Sequence, residues 1–471
     1  MSAGNQDQLF EKQERIYPKR VQGKLRNLKW FIMVITLGIY YLTPFIRWDR
    51  GPNAPDQAVL IDLERGRAYW FWIEIWPQEI YILTGILILA AIGLFFVTSL
   101  LGRVWCGYFC FQTVWTDLFV WVERLVQGDR VKRKRLREGP WTFEKMYKLA
   151  ITHTIWLAIA WWTAGSFVLY FNDAPALVMS FFRFDVSPTV LGFMIGLTFS
   201  TYLMAGFARE QVCNFMCPYA RFQSAMFDKD TLIIGYDESR GEARGKHKKG
   251  DDWEGRGHCI DCSACVKVCP AGIDIRDGLQ MECIACGLCV DACNNIMEKV
   301  DLPKGLIRYD TENRLDALKA GKQPPKLRIV RPRTIYYTLI LSVVGSVMLY
   351  GLIKRAPLDM SVLHDRNPIF VKLSDGSFRN GYDIKILNKT YEDKTYALTV
   401  EGIENAEITV KSAGDIAADE LFVPADSVGS YHILIQAPVK AAEPRAVILS
   451  LDDKASEIKD SYKSIFVTQR N

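Results

Sequence analysis

Hydrophobic positions along this chain follow two rhythms. Up to about residue 353 they gather in long, nearly charge-free runs: Leu28–Ile46, Tyr81–Leu101, Met146–Phe171, Val186–Phe207 and Thr334–Ile353. Twenty-one helical residues reach about 31 Å, enough for a hydrocarbon core of about 30 Å. Aromatic residues stand near the ends of these runs (Trp30, Tyr40, Tyr41, Trp161, Trp162, Tyr170, Tyr336, Tyr337), as they do where a helix meets a membrane surface. The pattern predicts about five transmembrane helices. The first run follows mostly polar residues without a small-residue cleavage site, so it reads as a retained helix rather than a signal peptide.

Beyond residue 353 the period changes to two. Tyr382–Ile386, Tyr396–Val400, Tyr431–Ile435 and Val447–Leu451 alternate apolar and polar residues, which is the signature of strands with one buried face. Turn signals separate them: Asp375-Gly376, Asn380-Gly381, Pro424 and Ala437-Pro438. A small β-sandwich of immunoglobulin type is expected, with no cysteine and hence no intersheet disulfide.

Charge orients the helices. The first 29 residues hold seven Lys or Arg, and the loop 102–145 holds nine, six of them between Arg130 and Arg137. The segment 208–333 is also basic, whereas the loop 47–80 has four Lys or Arg against six Asp or Glu. By the positive-inside rule the N-terminus, loop 102–145 and segment 208–333 face the cytoplasm, and an odd number of spans sends the C-terminal domain to the other side. The net charge of +5 thus reports membrane orientation and contact with anionic lipid, not nucleic-acid binding.

The chemistry lies in twelve cysteines. Eight form tandem runs, Cys259-x2-Cys262-x2-Cys265-x3-Cys269-Pro270 and Cys283-x2-Cys286-x2-Cys289-x3-Cys293. This is the ligand spacing of bacterial ferredoxins with two [4Fe–4S] clusters, in which the last cysteine of each run ligates the other cluster. Cluster 1 is expected on Cys259, Cys262, Cys265 and Cys293, and cluster 2 on Cys283, Cys286, Cys289 and Cys269. Structural zinc also favours Cys-x2-Cys but has no use for two such runs in tandem.

The other four cysteines form two Cys-x3-Cys pairs, Cys106/Cys110 and Cys213/Cys217, each at the basic exit of a pair of spans. Four-residue spacing on a helix would put both sulfurs of a pair on one face. The pairs could converge on one tetrathiolate site, and soft thiolates select Cu(I), zinc or iron–sulfur clusters. Met216 offers another soft sulfur or simply packs at the membrane surface. His153, inside the third run, is a candidate ligand for copper, haem or a quinone head group, set against a hydrogen-bonded packing role. His258 reads as a neighbour of the first cluster or as exposed, and His247 as a solvated linker residue. A polar-aromatic stretch follows each pair, Gln112–Val126 and Tyr219–Phe227, with the period of a helix lying at the interface.

Trp105-Cys106-Gly-Tyr-Phe-Cys110-Phe-Gln-Thr and Cys213-Asn-Phe-Met-Cys217-Pro-Tyr-Ala-Arg-Phe-Gln, the double-cluster ferredoxin, the last span and the β-domain together resemble the CcoG/FixG/RdxA family. The likeness runs from about residue 20 to the end. The membrane motif alone is also similar to the quinol-dehydrogenase-like NapH and NosR proteins. One departure stands out: Pro218 follows Cys217, but Phe111 follows Cys110 where the family tends to have proline. The resemblance implies a role in assembling the cbb(3)-type haem–copper oxidase, with Cu(II) reduced to Cu(I) at Cys106, Cys110, Cys213 and Cys217. It also implies an unidentified cytoplasmic electron donor, and oxidase subunits or assembly factors as partners.

The expected architecture is a multi-domain membrane protein: an α-helical bundle of about five spans, a cytoplasmic double-cluster ferredoxin-like insert and a C-terminal immunoglobulin-like β-sandwich. Expected boundaries are 1–27 for a cytoplasmic segment, 28–227 for the four-span domain, 228–257 for a linker and 258–300 for the ferredoxin. They continue with 301–333 for a connector, 334–353 for the fifth span and 354–471 for a periplasmic domain. No nucleophile–base arrangement or nucleotide-binding glycine loop is present. Three functions remain open on this reading: a membrane cupric reductase of the inner membrane, a quinol-linked relay of NapH/NosR type, and a non-enzymatic copper-binding assembly scaffold.

Overall fold

The computed structural model describes residues 15–246, 253–411, 415–438, 445–456 and 458–468, so His247 lies outside the described residues. The chain divides into two compact units, Met1–Ile46 with Ala58–Met348, and Arg47–Gln57 with Leu349–Asn471.

The first unit is mainly helical. Four of its helical stretches are long and apolar enough to cross a membrane: Lys24–Phe45, Pro77–Leu101, Pro188–Met216 and Pro332–Ile353. The third expected run is also a helix, Phe143–Val168, of 26 residues. It is not one of those four; Lys145, Lys148 and His153 occupy its first turns. Local chemistry starts these helices where the sequence changes. The Thr142 and Ser187 side chains accept from the backbone N–H of Lys145 and Val190, and Pro188 fills the first helical position, where no N–H is needed.

The fourth run is not a plain helix. Pro188–Leu203 runs into two π-helical turns, Met204–Ala208 and Val212–Met216, with Arg209 between them at φ +36°. A non-glycine residue at positive φ is strained and persists only where its surroundings hold it. Here the hold is an ion pair from Arg209 to Glu123 at 2.6 Å and a bond from Arg209 Nε to the Gly206 carbonyl.

Two features break the expected loops. Residues 59–75 fold into a three-stranded antiparallel sheet, Val59–Asp62, Arg67–Trp70 and Ile73–Ile75. The segments flanking the ferredoxin are tied together, because strand Leu232–Tyr236 pairs antiparallel with Ile307–Thr311. The expected linker and connector thus close a frame around the cysteine loops.

In the second unit two antiparallel sheets enclose one core. The larger runs Asp415–Ile416, Glu407–Lys411, Ser427–Ala437, Phe378–Asn388 and Leu358–His364, with Val371–Lys372 also on Phe378–Asn388. The smaller runs Leu421–Val423, Lys394–Glu401, Arg445–Asp453 and Lys459–Phe466. All four alternating segments lie in strands, and their apolar members (Tyr382, Ile384, Ile433, Ile435, Leu449, Leu451) fill the core. One turn signal is corrected. Asn380-Gly381 lies inside strand Phe378–Asn388, because the Asn380 side chain bonds inward to Val467 and His364 rather than to its own backbone.

Ile433 is fully buried between the sheets. Ile433→Ala should cost about 2–5 kcal/mol of this domain's stability, whereas Lys385→Ala on the exposed face should stay within about 0.5 kcal/mol. Denaturant unfolding followed by limited proteolysis of the C-terminal region checks the contrast.

Candidate electron-transfer centre

The two cysteine loops share one backbone device. Asp261 and Ser263, on either side of Cys262, lie at φ +50° and +52°; Ala285 and Gly287, on either side of Cys286, lie at +51° and +73°. Left-handed residues alternating with ordinary ones turn successive N–H groups into one concavity, which suits an anion. Three of these four residues carry a Cβ, so each loop is held in a conformation it would not choose alone. A thiolate-bound iron–sulfur cluster is such an anion.

Members of each expected set lie within electrostatic reach of one another. Cys293 interacts electrostatically with Cys265, Cys259 and Cys262. Cys289 interacts with Cys286, Cys283 and Cys269, and also with Cys265 of the other set. One cavity is lined by Cys259, Cys262, Cys265 and Cys293 together with Ile296, Met297 and Ile307. Burial pushes the Cys265 and Cys283 thiols up to about 11 and those of Cys269 and Cys293 to about 12. Such thiols stay protonated at neutral pH unless a metal displaces the proton. Among the described residues no three cysteine sulfurs lie within 4.8 Å of one another. A lone tetrahedral zinc with bonds of about 2.3 Å needs sulfurs about 3.8 Å apart, closer together than any three of these stand.

The second set of thiols also comes together. Cys213 is within electrostatic reach of Cys110, Cys106 and Cys217. The expected single helix face is corrected, however. Cys106 lies in a short helix, Val104–Tyr108, and Cys110 is the extended residue before the next, Phe111–Gln127. Cys213 lies in the π-turn Val212–Met216, and Cys217 is the extended residue before helix Pro218–Met226. In both repeats the second cysteine's N–H reaches back five residues, Cys110 to the Trp105 carbonyl at 2.9 Å and Cys217 to that of Val212 at 2.7 Å. A five-residue closure widens the turn and frees the second cysteine to start a new helix, whose N-terminal dipole end favours negative charge.

Two glutamines brace the repeats. Gln223, fully buried, donates from Nε2 to Cys106 Sγ at 3.2 Å. Gln112 donates to the carbonyls of Met204 and Arg209 at 2.9 and 3.1 Å, holding the irregular backbone ahead of Cys213. Burial raises the Cys106 thiol to about 11, against the pull of Gln223 and Arg103.

The two sulfur systems meet at one joint. The Tyr108 hydroxyl donates to the Cys286 carbonyl at 3.2 Å, and that of Tyr309 to the Ala285 carbonyl at 2.7 Å. Gly107 lies so close to the Cys283–Cys286 loop that a Cβ there would sit 2.7 Å from the Ile284 carbonyl oxygen. Arg103 spans from the Ala220 carbonyl, beyond Cys217, to the Met281 carbonyl, ahead of Cys283. The residues expected to hold cluster 2 therefore face Cys106, while Cys262 of the cluster 1 set is exposed to solvent.

Comparison with known proteins agrees with this geometry. The family described as "4Fe-4S dicluster domain" matches residues 208–312, "4Fe-4S binding domain" matches 83–133, and "IG-like fold at C-terminal of FixG" matches 348–469. The nitrogen fixation protein FixG of Rhizobium meliloti is 45% identical, the alignment covering 97% of this chain and 93% of that one. The chain belongs to the FixG/RdxA family. RdxB and RdxA of Cereibacter sphaeroides are 46% and 43% identical, over 97% and 91% of this chain and the same shares of theirs. A crystal structure of a FixG-related protein from Vibrio parahaemolyticus aligns with 25% of this chain and all of that one, at 25% identity and a TM-score of 0.21. This FixG-family chain is thus an iron–sulfur electron-transfer protein with apolar helices that associate it with a membrane. The segment 83–133 holds only Cys106 and Cys110, so a four-thiolate group there needs Cys213 and Cys217 as well.

Behind the joint of this FixG-family protein lies a buried charge network that its cysteine spacing does not announce. Glu123, on helix Phe111–Gln127, meets Arg15, Arg133 and Arg209 at 3.0, 2.8 and 2.6 Å. Asp117, on the same helix, meets Arg26 and Lys29 at 2.6 and 3.4 Å. Asp291 of the ferredoxin helix Leu288–Lys299 accepts from the backbone N–H of Arg26 and Leu25, capping the first long helix from outside. Two acids within an otherwise apolar, amphipathic helix were the only signal in the sequence.

Two sequence candidates sit elsewhere. His153 bonds the Tyr202 hydroxyl through Nδ1 at 2.9 Å and packs on Trp156 and Phe207, the surroundings of a packing histidine. Met216 is 61% exposed.

The ligand sets predict that Cys293→Ser removes one cluster and leaves the other. Iron should fall from about eight to about four atoms per chain, read by metal analysis with EPR of the reduced protein. For Glu123, burial alone would raise the carboxyl, but Arg209, Arg15 and Arg133 outweigh it and hold the group below the ordinary glutamate range. Its stabilisation is present above the unfolded-state value and drains away as pH falls through the lower folded value. Glu123→Gln should cost about 3–5 kcal/mol at neutral pH. The gap from wild type should narrow on acidification, in thermal unfolding of the detergent-solubilised protein.

Proposed function

We propose that this protein is a membrane cupric reductase that supplies Cu(I) for the copper centre of a cbb(3)-type oxidase, with Cys106, Cys110, Cys213 and Cys217 as the transit site for the ion. The observation carrying this reading is the joint between the Cys283–Cys286 loop and the Gly107–Tyr108 turn beside Cys106. When bound, the two clusters supply one-electron carriers between a soluble donor and the thiol end of the joint. Everything else is the work of the chain's own groups. The Tyr108 and Tyr309 hydroxyls and the Arg103 guanidinium fix the distance between the two sulfur systems. Gln223 orients the Cys106 sulfur. The reaction is Cu(II) plus one electron giving Cu(I), and thiolate sulfur favours the softer product ion.

Orientation follows from charge and span number. Counting helix Phe143–Val168 as a crossing gives five spans in the bacterial inner membrane. Loop 102–145 and the ferredoxin then lie in the cytoplasm and the β-sandwich in the periplasm. A cytoplasmic donor would meet the side bearing Cys262, and oxidase subunits or assembly factors would meet the β-domain. A quinol-linked relay of NapH/NosR type has less support, because His153 is already bonded to Tyr202.

The test is anaerobic. Dithionite-reduced protein, freed of excess reductant, should recover its visible absorbance on adding Cu(II) and yield one Cu(I) per electron, trapped by a Cu(I)-specific chelator. Cys213→Ser should bring Cu(I) formation to background while iron stays at about eight per chain. Gly107→Val should slow it without loss of iron. Reduced absorbance that persists unchanged in Cu(II) would overturn the reading.

A further inference from the structure

A second group of metal-type ligands lies far along the chain, on the outer face of the larger sheet of the β-sandwich. His432 and Asp383 are direct partners across strands Ser427–Ala437 and Phe378–Asn388, with His432 Nδ1 2.8 Å from Asp383 Oδ1. Asp365 follows strand Leu358–His364 and donates its N–H to the Gly381 carbonyl at 2.9 Å. Its carboxylate then lies over Gly381 and stops 3.7 Å from His432 Nε2. Among the described residues this is the one group of three ligating side chains whose donor atoms all lie within 4.8 Å of one another.

Three details distinguish this from a chance surface cluster. First, a Cβ at position 381 would collide with Asp365 Oδ2. The mid-strand glycine, which weakens a strand, leaves the space in which that carboxylate lies. Second, the hydrogen bonding is unbalanced. With Nδ1–H donated to Asp383, the Nε2 lone pair faces a carboxylate oxygen, acceptor against acceptor. A positive charge placed between the two carboxylates, as a proton on Nε2 or as a metal ion, relieves this, and at 3.7 Å the gap is longer than a direct N–H···O bond. Third, the separation is the one an ion would set. Two donors each about 2.1 Å from a common cation lie roughly 3–4 Å apart at ordinary bond angles.

We propose that His432 Nε2 and Asp365 bind a divalent transition-metal ion, with Asp383 holding the imidazole in the tautomer that ligates. Carboxylate-oriented histidines are the usual form of such ligands. An imidazole–carboxylate pair accepts borderline ions, and Cu(II) stands highest among the divalent first-row metals. Lys411 faces His432 on the neighbouring strand and Lys385 lies two residues from Asp383 on the same face, so the two lysines balance the two carboxylates and the ligands, not a net negative charge, would hold the ion. The site is distinct from the thiols of the first unit and stands whether or not the reductase reading holds.

The test uses the full-length protein in detergent with its clusters oxidised, titrated with Cu(II) and followed by EPR. Oxidised four-iron clusters give no signal, and Cu(II) that reaches free thiols becomes silent Cu(I), so the remaining spectrum reports sites without thiol ligands. One saturable Cu(II) per chain is expected, coupled to a single nitrogen. His432→Gln should abolish that coupling, Asp365→Asn should weaken binding at least tenfold, and Asp383→Asn should weaken it less. His258→Gln should change nothing. Unaltered proteolytic patterns will show that the variants are folded. A nitrogen-coupled signal that survives His432→Gln, or binding that never saturates, would overturn the proposal. Because the clusters are oxidised and only Cu(II) that escapes thiol oxidation to disulfide is read, neither outcome depends on electron delivery from the clusters.

Discussion

Anionic sulfur has to be held where burial works against charge, and most of the first unit answers that constraint. Burial drives the thiols of both ferredoxin sets toward their neutral form. Opposing it are backbone N–H concavities around Cys262 and Cys286 and, at the joint, the Arg103 guanidinium, which pulls the Cys106 and Cys283 thiols down. Five basic residues contact Glu123 and Asp117. Replacing such a network with apolar residues would often be neutral for stability, so stability alone does not explain it. The network does fix helix Phe111–Gln127 against the first long helix and the Arg209 turn, the elements that carry or adjoin both thiol pairs.

That support is useful only if the two sulfur systems keep their spacing. The ferredoxin is not held by its chain ends alone. Asp291 caps the first long helix, Asn295 bonds the Gln22 carbonyl, Arg103 reaches the Met281 carbonyl and Tyr108 reaches that of Cys286. Each bond is modest alone, about 1 kcal/mol for a neutral pair and more for a charged one. They come from four separate places, so no single hinge loosens the joint. The strand pair Leu232–Tyr236 with Ile307–Thr311 closes the frame where a linker and a connector were expected.

Legibility in the sequence followed how local each cause was. Cysteine spacing disclosed the iron–sulfur character because the loops are short and self-contained. Period-two alternation disclosed the four core strands because their inner faces are uniformly apolar. What failed was decided by distant partners. Asn380-Gly381 has the composition of a turn, yet it lies in a strand because Val467 and His364 claim the Asn380 side chain and Asp365 needs the room at Gly381. Cys-x3-Cys suggested one helix face, yet the backbone widens to a five-residue closure that no residue type announces. Arg209 at positive φ is legible only once Glu123 is seen across the interface. The small sheet at residues 59–75 was hidden in a loop whose charge had been read only for orientation.

The departure at Phe111 bears on whether the two thiol pairs are equivalent. Proline before a helix fixes φ and gives up an N–H that the first turn does not use, so Pro218 preorganises the bend after Cys217. Phe111 supplies no such restraint. Even so, Cys110 has ψ 126° and Cys217 has ψ 111°, both extended, and both close the same five-residue turn. The geometry therefore belongs to the repeat and not to the proline. What the substitution changes is one donor: the helix after Cys110 begins with a backbone N–H that its counterpart lacks. An added donor beside a metal-bound sulfur stabilises negative charge there. Gln223 likewise gives its amide to Cys106 of the same pair, while Gln112 gives its own to backbone near the other. Both differences point the same way, so the Cys106/Cys110 side, which also lies against the Cys286 loop, is the better place for negative charge to arrive.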